Sequence, residues 1–253
     1  MNTGERDELL VKLTLTRARD SGKSLFNTPI NSVGFLGTEY GSLDQQINLR
    51  GISDDSLENL ARSIGISKAP QGAKADVFIN DQGVSLKSLA GAPPALVNHT
   101  SRPGFEFACN NVGSDIKELD SIIDEYWEKR KKGIIREDTK IIDSHCPFVS
   151  HKEYLRPILE YFMFDGTGSR LSMAKADYVV EFSNPLDLNS YRRLNKNDAF
   201  NNLWPTLIFS MRAKKGMPSG YTLNYSGPNA DSIRKWVEFI DEDYRGALHI
   251  RCK

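Results

Sequence analysis

Residues 74–88 read KADVFINDQGVSLKS, with apolar and polar side chains alternating on both sides of the segment NDQG. Alternation with a period of two is typical of strands that bury one face. Asn, Asp and Gly accept the backbone angles that a tight hairpin turn requires. The stretch therefore predicts two short antiparallel strands joined by a turn.

The turn sets the register of this hairpin. If Asp81 and Gln82 are the two turn residues, Asp76 faces Lys87 across the strands. Residues that pair directly share a face, and successive residues alternate between faces. One face is then apolar and consists of Val77, Ile79, Val84 and Leu86. The other face carries Asp76, Ser85 and Lys87.

A carboxylate beside a lysine has two interpretations. In metal-assisted phosphodiester cleavage, the carboxylate holds a hard cation such as Mg²⁺, and the lysine orients or helps to deprotonate the attacking water. Alternatively, Asp76 and Lys87 form an ordinary cross-strand ion pair on a solvated face. From the hairpin alone, the ion pair is the favoured interpretation.

Helix and strand signals continue along the chain. Apolar spacing and capping residues predict helices at 3–22, 54–65, 114–133, 151–164 and 229–243, with Thr3 as the first N-cap. Strand-like runs occupy 177–182, 206–212, 221–225 and 247–251. A loop rich in Gly, Pro and Ser/Thr is expected at 90–104. This order predicts an α/β (α+β) fold with a mixed central β-sheet flanked by helices.

Composition bounds the class of protein. The 253 residues include 33 basic and 33 acidic side chains, so the net charge is zero and DNA binding would need a local basic surface. No apolar run approaches the roughly 20 residues that span a bilayer, and the first residues do not resemble a signal peptide. The three cysteines are widely spaced, at Cys109, Cys146 and Cys252, which favours a reducing compartment. A cytoplasmic protein without membrane contact is expected.

Two other groups of polar residues are weaker candidates for a site. Asp177 and Glu181 could form a second acidic site, but no lysine stands two residues after Glu181, and they are interpreted as strand-end charges. His145, Cys146 and His151 lie close together in the sequence, but no second Cys/His pair completes a zinc site.

The segment KADVFI…GVSLKSLAGAPPALVNHTSRPGFEF resembles the core of HpaII-type restriction endonucleases. That family carries a D-I-x-I strand, an S-I-K-S strand, and a loop with Gly, Pro and a Leu-x-Asn-x-Ser-like segment before an aromatic pair. The opening TGERDELL is similar to the family's Lys-Gly-Glu-x-x-Glu start, and GALHIRCK looks like its closing strand. The likeness extends over residues 1–110 and 244–253. The family belongs to the nuclease superfamily with the motif P-D…(D/E)-x-K.

The resemblance implies a type II restriction endonuclease with the restriction-endonuclease-like core, which hydrolyses double-stranded DNA at a short specific sequence using Mg²⁺. It implies that Asp76 is a metal ligand and Lys87 the catalytic lysine. Ser85 stands where most superfamily members carry an acid. The backbone carbonyl of Leu86 is a further expected metal ligand.

Another carboxylate must then complete the metal site. Upstream helical acids often line the site in this superfamily, so Glu8 and Glu5 are the leading candidates. Glu8 is preferred because it lies further into the helix, where a side chain is held more firmly. Glu106 in PGFEF is the downstream alternative.

A nuclease also needs groups that contact phosphates and base edges. The segment NHTSRP, which follows the catalytic strand in the sequence, is expected to approach DNA first, and RAKKGMPSGY second. The candidate DNA-binding residues are Ser88, Asn98, Thr100, Ser101, Arg102, Arg212, Lys214 and Lys215.

The whole chain, 1–253, is interpreted as a single endonuclease domain. Its catalytic core is expected at about 1–135, with a mixed α/β part at about 136–253 that helps to bind DNA. The expected setting is the cytoplasm of a prokaryote, with a cognate DNA methyltransferase encoded nearby and a monomer or homodimer as the working form. The alternatives are a non-catalytic DNA-binding or interaction protein and a repair nuclease of the same superfamily.

Overall fold

The computed structural model describes residues 1–90, 95–213, 226–227 and 229–253. The protein is mixed α/β, with a mixed central β-sheet flanked by helices, which confirms the predicted fold class at this level. None of the helices in the described ranges combines the length and the apolar character that a membrane crossing requires.

The described helices are α1 (Thr3–Asp20), α2 (Asp54–Ser63), α3 (Arg102–Val112), α4 (Ile116–Lys131), α5 (Lys152–Glu160), α6 (Lys196–Leu203) and α7 (Ala230–Arg234). The described strands are β1 (Ser24–Leu25), β2 (Thr28–Pro29), β3 (Val33–Phe35), β4 (Thr38–Glu39), β5 (Val77–Ile79), β6 (Gln82–Ser88), β7 (Ala95–Ser101), β8 (Thr139–Lys140), β9 (Tyr178–Phe182), β10 (Tyr191–Leu194), β11 (Leu207–Arg212), β12 (Glu238–Ile240), β13 (Asp243–Arg245) and β14 (Ala247–Cys252).

The chain folds into two compact units, and neither is continuous in sequence. The first consists of Met1–Ala92 and Ser172–Ala199, and the second of Pro93–Leu171 and Phe200–Lys253. The predicted division of a catalytic core at about residue 135 does not coincide with this partition. Residues 172–199 belong to the first unit because they supply two strands of its sheet, β9 and β10.

The first unit contains the mixed sheet, in the order β10-β9-β6-β5-β3-β4. Strands β6 and β9 are parallel, whereas the other neighbours are antiparallel. Apolar side chains of the sheet pack with α1 and α2 in one core, which includes Leu13 and Leu57 from the helices and Val77, Val84 and Val180 from the strands.

Helix α1 is fixed at both ends by hydrogen bonds. Asn2, and not Thr3, is the N-cap: its side chain accepts from the Glu5 amide, and Glu5 accepts from the Asn2 amide. At the other end Gly22 has φ +63°, and the Lys23 amide donates to the carbonyl of Ala18 at 2.9 Å. This is the left-handed glycine stop expected after a helix.

The predicted hairpin is present, but its predicted register is wrong by two residues. Val77 faces Val84 and Phe78 faces Gly83, so Asp76 does not lie opposite Lys87. The turn residues are Asn80 and Asp81, with φ +49° and +62°. Asn and Asp tolerate this left-handed region better than Gln does, which favours the observed turn.

The predicted sorting of faces survives this correction. A slip of two residues preserves the alternation of side chains, whereas a slip of one would invert it. Val77, Ile79, Val84 and Leu86 are accordingly all buried in the first unit's core.

The second unit contains an antiparallel sheet in the order β7-β14-β11-β8. Its core packs Phe105, Ile122, Phe148 and Phe209 around the fully buried Trp236. The helices predicted at 114–133 and 151–164 are present as α4 and α5, and Pro157 lies inside α5.

Two sequence predictions in this unit need correction. The expected loop at 90–104 is instead β7 from Ala95, followed by α3 from Arg102, with a proline in its first turn, a position that needs no amide donor. The helix expected at 229–243 stops at Arg234 and gives way to the β12–β13 hairpin, whose turn residues Asp241 and Glu242 have positive φ. The strand predicted at 221–225 lies outside the described residues.

Candidate active site

Asp76 lies immediately before β5 and is partly buried. Its amide donates to the carbonyl of Val84 at 2.8 Å, and its Oδ2 accepts from the amide of Leu86 at 2.7 Å. Burial raises the pKa of Asp76, and the neighbouring charge of Glu8 raises it further, while Lys87, the Leu86 amide and Lys12 lower it. The net pKa is raised, which identifies Asp76 as a carboxylate that lacks sufficient positive charge around it.

Glu8 of α1 belongs to the same group of charges. Its Oε1 accepts from Nζ of Lys12 at 2.5 Å, one helical turn further on. Lys12 has no solvent exposure, and its ammonium also donates to the carbonyl of Ser67 at 2.9 Å. Glu8 is therefore held in a fixed position, and its charge acts on Asp76.

Glu5 has different partners from Glu8. It closes the capping box of α1 and forms an ion pair with Lys68, which lowers the pKa of Glu5. Glu5 and Glu8 both line a cavity of about 400 Å³ together with Leu9 and Ile66. Of the two glutamates, only Glu8 contributes to the shifted pKa of Asp76.

Lys87 is exposed, while Ser85, two residues earlier on β6, is buried. No described residue forms an ion pair with Lys87, although its charge lowers the pKa of Asp76. Within the described residues, Asp76 and Lys87 therefore do not form a simple cross-strand ion pair.

Glu181 lies beside Lys87 on the neighbouring strand. Strands β6 and β9 run parallel, with Ser85 next to Val179 and Lys87 next to Glu181. Residues in register on adjacent strands share a face, so Glu181 extends the Lys87 face of the sheet. It is the last residue but one of β9, which agrees with its interpretation as a charge near a strand end.

Two further polar groups complete the surroundings of Asp76. Burial, and then the charge of Lys87, lower the pKa of Lys74 to about 8. Tyr40 is buried, and its pKa is raised by burial and then by the charges of Glu8 and Asp76. We call Glu8, Lys12, Tyr40, Lys74, Asp76 and Lys87 the Asp76 site.

The donor set of the Asp76 site fits a hard divalent cation. The charge of Glu8 acts on Asp76, and Mg²⁺ is commonly bound by one or two carboxylates while it keeps several waters. The described residues contain no group of three or more His, Cys, Asp or Glu side chains arranged around a common point. A cation here would therefore rely on Asp76, Glu8, main-chain carbonyls and water. The amide of Leu86 contacts Asp76, and its carbonyl as a ligand stays a prediction.

The predicted DNA-binding residues of the hairpin and of β7 have varied surroundings. Ser88 donates to Oδ2 of Asp7 at 2.8 Å. In β7, Asn98 is exposed, Thr100 is partly exposed and its hydroxyl donates to the carbonyl of Asn98, and Ser101 is buried. Asn98 is the most accessible of these side chains.

Arg102 is committed to contacts inside the second unit. It is 4% exposed, and it makes a two-point contact with Asp120, at 2.7 Å from Nε and 2.8 Å from Nη2. Its Nη1 donates to Glu106 and Ser232. These bonds leave little of the guanidinium for a phosphate, so the structure argues against the predicted DNA contact. Glu106 is likewise engaged.

Arg212 pairs with Glu137 and Asp138. Lys214 and Lys215 lie outside the described residues. The second predicted DNA segment is therefore described only at its start, where the basic side chain is already neutralised.

Sequence reasoning missed Lys12, Tyr40 and Lys74, and it weighed Glu181 without its proximity to Lys87. Lys12 had a usable signal, because it follows Glu8 by four residues on a helix that is otherwise apolar at that point. The position of Glu181 next to Lys87 had no signal in the sequence, because it depends on the long-range pairing of β6 with β9.

Comparison of the chain with models of known protein families, with curated proteins and with solved structures gives no significant match.

Proposed function

We propose that this protein is a Mg²⁺-dependent type II restriction endonuclease that cleaves double-stranded DNA at a short specific sequence. The observation that carries the proposal is the position of the Asp76 carboxylate, which accepts from the Leu86 amide at 2.7 Å, beside Lys87 on β6. The charges of Glu8 on α1 and of Lys87 on β6 both act on Asp76, which supports a shared site. The resemblance of residues 74–107 to HpaII-type endonucleases supports the same conclusion.

Four residues of the Asp76 site have roles in this proposal. Asp76 and Glu8 hold the cation, which supplies Lewis-acid stabilisation of the phosphate when bound. Lys87 orients the attacking water and stabilises charge on the phosphate oxygens. Lys12 keeps Glu8 in place through its hydrogen bonds to Glu8 and to the Ser67 carbonyl.

The fold supports the assignment without a matching relative. A mixed sheet whose catalytic strands form a hairpin, with an acid-bearing helix packed against it, is consistent with the restriction-endonuclease-like core that we propose for the first unit. A restriction enzyme of this kind would act in the prokaryotic cytoplasm, with a cognate methyltransferase encoded nearby, and as a monomer or homodimer.

Incubation with plasmid DNA tests the activity. Supercoiled plasmid should be converted to discrete linear fragments with Mg²⁺, and should remain intact with EDTA. Smearing or nicking would instead indicate a repair nuclease without strict specificity. Retarded but uncut DNA under all metal conditions would indicate a non-catalytic binding protein and overturn the proposal.

A further inference from the structure

A second cavity in the first unit lies on another side of α1. It has a volume of about 590 Å³, within the range of about 300–1,000 Å³ that is typical of small-molecule sites. Thr14, Arg17 and Ala18 line it from α1, whereas Glu8 and Lys12 project from roughly the opposite side of the helix. The cavity is therefore distinct from the Asp76 site.

The charge of this cavity is positive. Arg17, Lys23 and Arg50 line it, and one acid, Asp187, offsets them. Oδ1 of Asp187 already accepts from the amide of Asn189 at 3.0 Å. Within the described residues, none of the three cations forms an ion pair.

Arg17 presents a donor without a partner. Its Nη2 donates to the carbonyl of Ile47 at 2.6 Å, which fixes the guanidinium. Its Nε is buried and has no hydrogen-bond partner among the described residues. A buried donor without an acceptor costs free energy, so the Arg17 side chain is incompletely satisfied by the described residues.

The remaining lining combines apolar and hydrogen-bonding groups. Leu49, Leu186 and Leu188 give it an apolar wall, and Asn48 and Asn189 lie at its edge. Oδ1 of Asn48 accepts from the amide of Arg50 at 2.9 Å and so shapes the loop that carries this arginine. A ligand with a charged end and a less polar body matches these surfaces.

We propose that this cavity binds a small phosphomonoester, with the phosphate held by Arg17, Lys23 and Arg50 and the organic part against the leucines. Arginine and lysine are the usual ligands of phosphate in proteins, and arginine offers paired donors to its oxygens. This proposal does not depend on nuclease activity.

Isothermal titration calorimetry of the full chain, in phosphate-free buffer without Mg²⁺, tests it with AMP, ribose 5-phosphate, inorganic phosphate and adenosine. AMP should bind and adenosine should not. The relative affinities of ribose 5-phosphate and inorganic phosphate then show whether a sugar phosphate or the free ion is recognised. Arg50→Gln and Lys23→Gln, both at exposed positions, should each weaken AMP binding about tenfold or more.

Two controls separate this site from others. Arg136 is exposed in the second unit and does not line the cavity, so Arg136→Gln should bind AMP as the wild type does. Asp76→Asn should also leave AMP binding unchanged, which distinguishes failure of this proposal from failure of the nuclease proposal.

The proposal is overturned if no phosphate-bearing probe binds, if adenosine binds as tightly as AMP, or if Arg50→Gln and Lys23→Gln leave the affinity for AMP unchanged. It is also overturned if AMP does not bind and the same two variants weaken binding to duplex DNA, because the cavity would then be part of a DNA surface.

Discussion

At the scale of single residues, Asp76 is placed where its charge is unfavourable in the protein alone. Burial and Glu8 raise its pKa, and the opposing effects of Lys87, the Leu86 amide and Lys12 do not compensate. A structural ion pair shows the reverse, as Asp120 does with Arg102. Strained electrostatics of this kind concentrate at functional sites, where a ligand supplies the missing charge.

Asp76→Asn should abolish cleavage and stabilise the protein. Loss of a ligand for the cation removes several kcal/mol of charge stabilisation, so the cleavage rate should fall about a hundredfold or more. The folded-state pKa of Asp76 lies above its unfolded value. Ionisation of the carboxylate therefore lowers the stability of the protein as pH rises from the unfolded pKa to the folded-state pKa. The variant should therefore melt at a higher temperature at pH 7, and the difference should vanish below the unfolded pKa. A lower melting temperature together with normal cleavage would make Asp76 structural.

Glu8→Gln and Glu5→Gln form a matched pair on one helix. The side-chain amide that Glu8→Gln introduces can still accept from Lys12 through its oxygen, so the fold should persist while cleavage falls about tenfold or more. Glu5→Gln should cleave at close to the wild-type rate, because the partners of Glu5 are Asn2 and Lys68. Single-turnover rates and circular dichroism of both variants measure this. Equal rates in the two would remove Glu8 from the site, and an inactive, folded Glu106→Gln would move the acid downstream.

Lys87→Met should lower the cleavage rate about 10²–10³-fold, as loss of a donor to developing charge does. DNA affinity should change little, because the lysine acts mainly in the transition state. Lys87 is exposed and forms no ion pair within the described part of the chain, so the fold should persist in the variant. Lys117→Met, at an exposed position on α4, is the control. Normal turnover in Lys87→Met would contradict the assigned role.

For the strands, the buried side chains were predictable from the sequence, whereas the register of the hairpin was not. The period-two pattern of residues 74–88 determined which side chains are buried, because every even slip of the hairpin preserves the faces. A correct prediction of the turn depended on the positive φ angles of both Asn80 and Asp81. The Asn80 side chain, which accepts from the amides of Asn31 and Ser32, adds a long-range preference that no local pattern contains.

The contact of α3 with α4 gives a prediction about stability. Burial raises the pKa of Asp120, but hydrogen bonds from Arg102 and Trp236 outweigh it and the net pKa is lowered. Asp120→Asn should reduce the free energy of unfolding by about 1–2 kcal/mol at pH 7, because the partly buried pair loses its charge-assisted hydrogen bonds. Because the pKa of Asp120 is lowered in the folded state, its ionised carboxylate stabilises the protein above the unfolded pKa of about 3.9. This stabilisation is lost as pH falls through the folded-state pKa. The difference from wild type should thus be constant from pH 8 to 5 and shrink below about pH 4.

Urea titrations across this pH range measure the effect. Asp124→Asn, on the same helix, is the control, because burial and neighbouring acids raise the pKa of Asp124 and its removal should not destabilise. An unfolding midpoint of Asp120→Asn equal to that of wild type at pH 7 would contradict the structural role of the Arg102–Asp120 pair.

At the scale of the whole molecule, the chain passes twice through each unit. The sheet that carries Lys87 is completed by β9 and β10, which follow it by about ninety residues in the sequence. Pairings over such distances leave no local sequence pattern, which explains why the pairing of Glu181 with Lys87 and the division into units were not predicted. The Asp76–Glu8 association was predictable only because the family resemblance required a second acid.

Sequencing the DNA ends produced by complete digestion of a large linear DNA tests the proposed site-specific cleavage. With Mg²⁺ present, every end should map to one short recurring sequence with the same cut position, and Asp76→Asn should produce no ends above background. Ends distributed without a common sequence, or cleavage that persists undiminished in Asp76→Asn, would contradict it.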